Sequence, residues 1–287
     1  MKNLFDFPEQ LSFEITEPID KAVEWMLLNW GLLFDFIQGF VLTVFNVVEA
    51  GLNIIPWWLM ILGVFVAGVK LYNWKTGAIL SLMLFLIGLF GLWELMIYTL
   101  VIVIVAVLVS LLIGIPFGIL MAKSDIAKRI MLPILDGMQT MPSFVYLLPA
   151  VMFFGLGKVA ALIATTTYAI PPLIRLTYLG ISNVDKEVIE AGKSFGSTAR
   201  QMLVKIEFPQ ALSSIMTGVN QTTMMAMAMV VISSMIGAEG IGQEVLVAIR
   251  RMEVGKGFQS GIAIVFLAII LDRLLQGTAS RLKKGSE

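Results

Sequence analysis

Long apolar runs alternate with short polar segments along most of the chain. Seven such runs lie at residues 54–69, 78–92, 96–122, 142–155, 159–176, 211–236 and 258–275. A helix that crosses a bilayer needs about 17–25 apolar residues, so each run predicts a membrane-spanning helix. The first, second and fourth runs are short. They tilt little or borrow flanking residues or, in the case of the fourth, begin earlier, near Ile130.

Residues 20–49 show a different pattern. At about 100° per residue, the polar side chains fall within one wedge of about 100°, and these are Asp20, Lys21, Glu24, Asp35, Gln38, Asn46 and Glu49. Large apolar side chains such as Trp25, Phe36 and Phe40 lie opposite. This pattern predicts an amphipathic helix in the membrane interface or across the outer ends of the spans. The alternative is a spanning helix whose polar stripe faces the bundle.

A polar segment, EAGKSFGSTARQMLVKIEFP at residues 190–209, interrupts the apolar runs. In and just before it, apolar residues recur at spacings of three and four, which predicts one apolar helix face; they are Val188, Ala191, Phe195, Ala199, Met202 and Leu203. Gly196 permits a turn or a close backbone approach, and Pro209 blocks continuation of this helix. Such a helix either lies on the lipid surface or seats in a groove of a partner, and the pattern alone fits both.

Composition places the chain in the membrane and argues against catalysis. Hydrophobic residues make up 58% and charged residues 14% of it, and the mean hydropathy is +0.91. These values predict an all-α polytopic membrane protein. The absence of cysteine and histidine removes disulfide, thiolate and imidazole chemistry, so we expect neither an enzyme nor a metal site. Net charge is zero, and no nucleic-acid partner is indicated.

The distribution of lysine and arginine predicts the orientation in the cytoplasmic membrane. Basic residues concentrate at 123–129, 175–205 and 281–284, and pairs of predicted spans separate these segments, so all three can face the cytoplasm. The C-terminus is then cytoplasmic and the acidic N-terminus lies outside. The basic loop at 250–256 disagrees with this scheme. The first residues lack a basic segment followed by an apolar one, so we expect no cleaved signal peptide.

The chain shows no energy source of its own. Polar residues within the predicted spans are almost all neutral, and Asp136 and Asp272 lie near span ends. A proton-coupled carrier would be expected to keep a carboxylate or histidine in mid-membrane. The sequence also has no G-x-x-x-x-G-K-[ST] loop to hold ATP phosphates. A separate ATPase partner is therefore implied.

The segment at 190–209 resembles the EAA loop of ABC importer permeases. The matching positions, at the family's spacing, are Glu190, Ala191, Gly192, Gly196, Ile206 and Pro209. Gly192 and Phe208 depart from the usual alanine and leucine. In that family the loop forms a coupling helix that docks on the ATPase, so the resemblance assigns coupling to these residues together with Phe195 and Ala199.

Three further stretches resemble the membrane subunits of glycine betaine and related quaternary-amine importers. They are AKSD at 122–125, PILDGMQTMPSFVYLLPAVMFFGLG at 133–157 and GVNQTTMMAMAMVVISSMIGAEGIG at 218–242. The resemblance covers roughly residues 90–275. It implies a type I-like permease fold: an N-terminal segment at 1–50, two accessory helices at 51–94, a permease core at 95–277 with its coupling loop at 177–209, and a cytoplasmic tail at 278–287.

The same resemblance implies function and partners. We expect an ATP-driven importer subunit for glycine betaine or a similar solute. A second copy of the chain, two ATPase subunits and a separate external binding protein would complete it, with ATP and Mg²⁺ on the ATPase and no cofactor on this chain. Alternatives are an importer for methionine, another amino acid or an oxyanion, and a secondary carrier or channel. No internal repeat supports a carrier.

Six residues are candidates for the translocation path: Gln139, Thr140, Phe144, Tyr146, Asn220 and Gln221. Their amides and hydroxyls can line a path for a zwitterion, or they can pair with one another. An aromatic face attracts a quaternary ammonium by about 0.5–2 kcal/mol. Aromatic side chains that face lipid or fill packing gaps are the alternative.

Overall fold

The computed structural model describes residues 16–284, and this part of the chain is helical without strands. The helices are α1 Thr16–Ile54, α2 Trp57–Leu71, α3 Trp74–Leu89, α4 Trp93–Lys123, α5 Asp125–Thr140, α6 Leu147–Phe154, α7 Lys158–Ala169, α8 Pro171–Ser182, α9 Lys186–Ser194, α10 Ala199–Met202, α11 Phe208–Ser233, α12 Ile241–Arg251 and α13 Val254–Lys284. Short 3₁₀ turns cover Ser143–Tyr146 and Ser234–Ile236, and Leu203–Glu207 is a π-helical turn. The predicted all-α membrane fold is confirmed.

The seven predicted apolar runs fall on seven helical stretches in the predicted order. These are α2, α3, α4, Ser143–Phe154, α7 with α8, α11 and α13. Four of them, α4, Lys158–Ser182, Ala199–Ile236 and Val254–Arg281, are long and apolar enough to cross a membrane. The α2 and α3 helices are shorter, with 15 and 16 residues. The chain bends by 110° between α5 and Ser143–Phe154, so the fourth run is one half of a bent helix pair, the geometry of a broken span or of a re-entrant loop.

The α1 helix is also long and apolar enough to cross a membrane. It changes direction at Trp30, where φ is −113° and ψ is 16°. The chain divides into two compact units after Val41, so residues 16–41 are described by themselves. Leu28 and Leu32 are 85% and 89% exposed there, which gives this unit an apolar surface suited to lipid. The interfacial placement of residues 20–49 stays a prediction, and the signal-peptide question concerns residues that lie outside the described part.

Close contacts between α4, α8 and α11 form the core of the second unit. Leu173 on α8 is fully buried, in a cluster with Ala211, Ile215 and Val219 of α11. Gly118 on α4 meets α8 so closely that a Cβ atom there would lie 2.5 Å from Cβ of Thr177. Small residues let helix backbones approach in this way and gain packing energy within a membrane.

The α2–α3 hairpin packs on α13 at both of its ends. The Tyr72 hydroxyl at the α2–α3 turn donates to the carbonyl of Arg273 at 3.0 Å. At the other end, Gln259 Nε2 donates to the carbonyl of Phe90 at 2.9 Å. Asp272, next to Arg273, therefore lies at the level of the hairpin turn. Residues 278–284, predicted as a tail, continue α13, and residues 285–287 lie outside the described part.

Candidate functional site

Two helices, and not one, form the predicted amphipathic segment. The first, α9, ends at Ser194, and Gly196 adopts a left-handed φ of +74°. The Gly196 and Ser197 amides donate to the carbonyls of Lys193 and Gly192 at 2.9 and 3.1 Å, which closes the helix end. Thr198 then starts α10, and its side chain and that of Gln201 form a reciprocal capping box. The single helix predicted across residues 188–203 is therefore wrong, because a left-handed turn and a new N-cap interrupt it.

The predicted coupling residues divide between an exposed and an inward-facing set. Five of the exposed residues form a surface here called the coupling surface: Glu190, Ala191, Phe195, Gly196 and Ala199. Phe195 is 90% exposed at the tip of the turn. Gly192 faces inward, where a Cβ would lie 2.7 Å from Cδ1 of Ile206 and 2.8 Å from Cε of Met202. Pro209 is exposed at the first turn of α11.

Met202 does not share one helix face with the other apolar residues, as the sequence predicted. It is 5% exposed and packs under α9, whereas Val188, Ala191 and Phe195 point outward. The inward-facing residues therefore hold the two short helices together, and the outward-facing residues are exposed on the described part of the chain. An aromatic side chain so fully exposed, beside Glu190 and Lys193, has the mixed apolar and charged character of a docking surface.

A partly buried ion pair joins the end of this segment to α4. Lys123 Nζ contacts Oε1 and Oε2 of Glu207 at 2.6 and 2.5 Å. The Glu207 side chain is 5% exposed and that of Lys123 is 45% exposed. Sequence reasoning missed this pair. The available signal was its position, since each residue adjoins the same predicted cytoplasmic end of an apolar run.

The candidate path residues at the α5–α6 bend point in different directions. Gln139 and Thr140 are exposed at the end of α5, and Phe144 is 54% exposed. Tyr146 is buried, its hydroxyl donates to the carbonyl of Met138, and its ring lies 5.7 Å from that of Tyr168. Tyr146 also lines an apolar cavity of about 230 Å³, together with Phe153, Phe154 and Thr167.

Asn220 and Gln221 also differ in their contacts and exposure. Asn220 Nδ2 donates to Oδ1 of Asp272 at 2.9 Å, so this amide lies in the contact between α11 and α13. Gln276 donates to the same oxygen at 2.7 Å. Gln221 is exposed. The pairing of Asn220 with α13 is a contact that the apolar pattern did not show, and the assignment of both amides to the path stays a prediction.

A second polar region lies at the opposite end of α4 from Lys123. Glu94 is in the first turn of α4, about 40 Å from its last turn at 1.5 Å per residue. It borders a cavity of about 430 Å³ that Glu49, Glu239, Tyr98 and Asn53 also line. Three carboxylates therefore face one cavity at the end of the bundle away from the coupling surface. The sequence placed these three residues in separate segments and did not predict their proximity.

Comparison with known proteins identifies the family. Residues 114–284 match the family described as binding-protein-dependent transport system inner membrane component. The chain is 41% identical to the glycine betaine transport system permease protein OpuAB of Bacillus subtilis (strain 168), over 91% of this chain and 93% of that protein. It is 44% identical to the glycine betaine/carnitine transport permease protein GbuB of Listeria monocytogenes serotype 1/2a (strain 10403S), over 92% and 95%.

A solved structure shares the fold. The inward-facing MetNI methionine ABC transporter superimposes with a TM-score of 0.57 at 21% identity, over 66% of this chain and 93% of the matched chain. The matched family region begins within α4 and continues through α13, so it contains the coupling surface and the Lys123–Glu207 pair. The chain thus belongs to the family of binding-protein-dependent transport system inner membrane components.

Proposed function

We propose that this chain is the membrane-spanning subunit of an ATP-driven importer for glycine betaine or a related quaternary-amine solute. The observation that carries the proposal is similarity over more than nine tenths of the chain to two permeases named for glycine betaine transport. The exposed coupling surface supports the ATP-driven part, because it offers an apolar tip with flanking charges to a partner.

The complete importer would contain two copies of this chain, two ATPase subunits and an external binding protein. One chain has one coupling surface, so a second copy is needed to engage a second ATPase. ATP and Mg²⁺ would be held by the ATPase subunits, and this chain would contribute no catalytic residue. The N-terminus would lie outside and the C-terminus in the cytoplasm, which puts the coupling surface on the side where ATP is available.

Closure of the ATPase dimer would move the two coupling surfaces, and the helices would open the path toward the outside. The amides and hydroxyls proposed for the path, those of Gln139, Thr140, Asn220 and Gln221, suit a solute with no net charge. The aromatic side chains of Phe144 and Tyr146 would attract a quaternary ammonium group by about 0.5–2 kcal/mol each. The carboxylates of Glu49, Glu94 and Glu239, around the cavity that would open to the outside, would favour approach of the same cationic group.

Uptake by the assembled importer tests this proposal. With its ATPase and binding protein in proteoliposomes, we expect labelled glycine betaine to accumulate only when ATP is present on the ATPase side. Unlabelled carnitine or choline should compete, and methionine should not. Accumulation driven by a proton gradient without ATP would instead indicate a secondary carrier. ATP-driven uptake of methionine and not of glycine betaine would keep the importer class and refute the proposed solute.

A further inference from the structure

We propose that the Lys123–Glu207 ion pair links the coupling surface to α4 and transmits the movement of the docked segment to the spans. The proposal rests on the proposed function and names the residues that connect ATPase motion to the membrane helices. Both carboxylate oxygens of Glu207 contact the Lys123 ammonium, and Glu207 has almost no exposed surface. A buried charge without its partner is strongly destabilising, so the two helix ends must move together.

On one side, packing connects the ion pair to the coupling surface. Gly192 of α9 lies directly over Met202 and Ile206, whose side-chain ends would be 2.8 and 2.7 Å from a Cβ at this position. Ile206 belongs to the π-helical turn Leu203–Glu207, and the Phe208 amide closes that turn on the carbonyl of Leu203. Displacement of α9 is therefore passed to Glu207 through direct contacts. Single π-turns occur frequently at functional positions within helices.

On the other side, Lys123 is the last residue of α4 and stands next to the start of α5. Ser124 caps α5 by accepting a hydrogen bond from the Ala127 amide at 3.3 Å. At its far end, α5 carries Gln139 and Thr140, and an ion pair between Asp136 and Arg175 ties it to α8. A pull on Lys123 thus acts at the junction of α4 and α5, from which α5 leads to two of the residues proposed for the path.

A purely structural role would have a different consequence. If the pair only stabilised the fold, its loss would lower the amount of assembled importer, and each assembled importer would still move solute with each ATP hydrolysed. If the pair transmits movement, importers that lack it should still assemble and hydrolyse ATP, but they should move less solute for each ATP hydrolysed. The deciding quantity is the ratio of glycine betaine transported to ATP hydrolysed.

The experiment compares Glu207→Gln, Lys123→Met and the double exchange Lys123→Glu with Glu207→Lys in the complete importer. Each single variant should assemble with the ATPase. Each should lower the transport-to-hydrolysis ratio by about tenfold, within the roughly 5- to 150-fold range typical of coupling between sites. The double exchange should recover much of the ratio because it restores opposite charges. Glu244→Gln is the matched control, since it breaks a 2.6 Å pair with Lys256 on α12 and α13, and its ratio should stay unchanged.

Two results would overturn the link. One is a wild-type ratio in Glu207→Gln. The other is a double exchange that assembles but recovers nothing, which would show that any change at this buried position is harmful. If Lys123→Met does not assemble, because it leaves the buried Glu207 carboxylate unpaired, Glu207→Gln decides the matter, since the Lys123 that it leaves unpaired is partly exposed to solvent. The wild-type importer separates this test from the proposed function: without ATP-driven glycine betaine uptake in the wild type, the function fails first.

Discussion

Gly196→Asp is expected to abolish ATP-driven uptake while the chain still inserts and assembles with its second copy. Gly196 has a φ of +74°, which L side chains adopt only with strain, at about 1–3 kcal/mol. Within residues 16–284, no heavy atom outside Gly196 and its two chain neighbours lies within 4 Å of the added Cβ, so the fold itself has room for it. The new side chain would instead meet the groove of the ATPase, at a further cost of about 1–3 kcal/mol. Because every 1.4 kcal/mol is about tenfold in affinity, docking should weaken by roughly tenfold or more.

The measurements are uptake, assembly and the stimulation of ATP hydrolysis by loaded binding protein. Gly255→Asp is the matched control, because it adds the same carboxylate to an exposed glycine with open space and without a left-handed φ. It should transport normally. Wild-type uptake by Gly196→Asp would contradict the coupling assignment and leave the segment as a helix pair on the lipid surface.

Gly118→Leu is expected to have the largest effect on stability. A Cβ at this position would lie 2.5 Å from Cβ of Thr177 and 2.8 Å from the carbonyl oxygen of Ile174. The carbonyl belongs to the α8 backbone and cannot move aside as a flexible side chain would. Overpacking of this kind costs about 1–3 kcal/mol, and more where backbone must shift. The purified variant should lose its folded form at a clearly lower temperature than the wild type, as measured by size-exclusion chromatography after heating.

Gly261→Leu provides the comparison for that measurement. Gly261 also lies inside a long helix, α13, but no described atom outside its chain neighbours and the adjacent helix backbone lies within 4 Å of its added Cβ. Its thermal stability should stay close to that of the wild type. If both variants lost the same stability, the contact between α4 and α8 would not explain the effect, since helix propensity favours leucine over glycine in both helices.

Hydropathy predicted the positions of the spans because each helix buries its backbone polar groups within itself, so the apolar run and the helix share their limits. Residues 96–122, for example, lie within α4, which extends from Trp93 to Lys123. The bend after α5 was not predicted. Met141 and Pro142 break the helix there, but a proline near the end of an apolar run is also common in straight spans.

The coupling segment shows where periodicity misleads. Apolar spacing of three and four continues from Val188 to Leu203, although Gly196 turns the chain between two helices. The better signal was local: Thr198 and Gln201 form the S/T-x-x-E/Q pattern that starts a helix. A glycine two residues before such a pattern indicates an end and a new beginning.

Contacts between distant segments could not be read from the pattern. Lys123 and Glu207 are 84 residues apart, and Asn220 and Asp272 are 52 apart. Periodicity places each residue on a face of its own helix but does not say which helix that face meets. The cavity at the first turn of α4 illustrates the same point, because its carboxylates Glu49, Glu94 and Glu239 come from three separate parts of the chain.

Photocrosslinking from Phe195 tests the central claim, that an ATPase docks on the coupling surface, most directly. A photoreactive phenylalanine analogue would replace Phe195 in the assembled importer, and Leu156 would be the control position, since it is 76% exposed just before α7, the end of that span away from the coupling surface. Illumination should join the Phe195 variant to the ATPase in one covalent product, and the Leu156 variant should give none. Adducts with lipid alone from Phe195, in importers that contain the ATPase, would contradict the account.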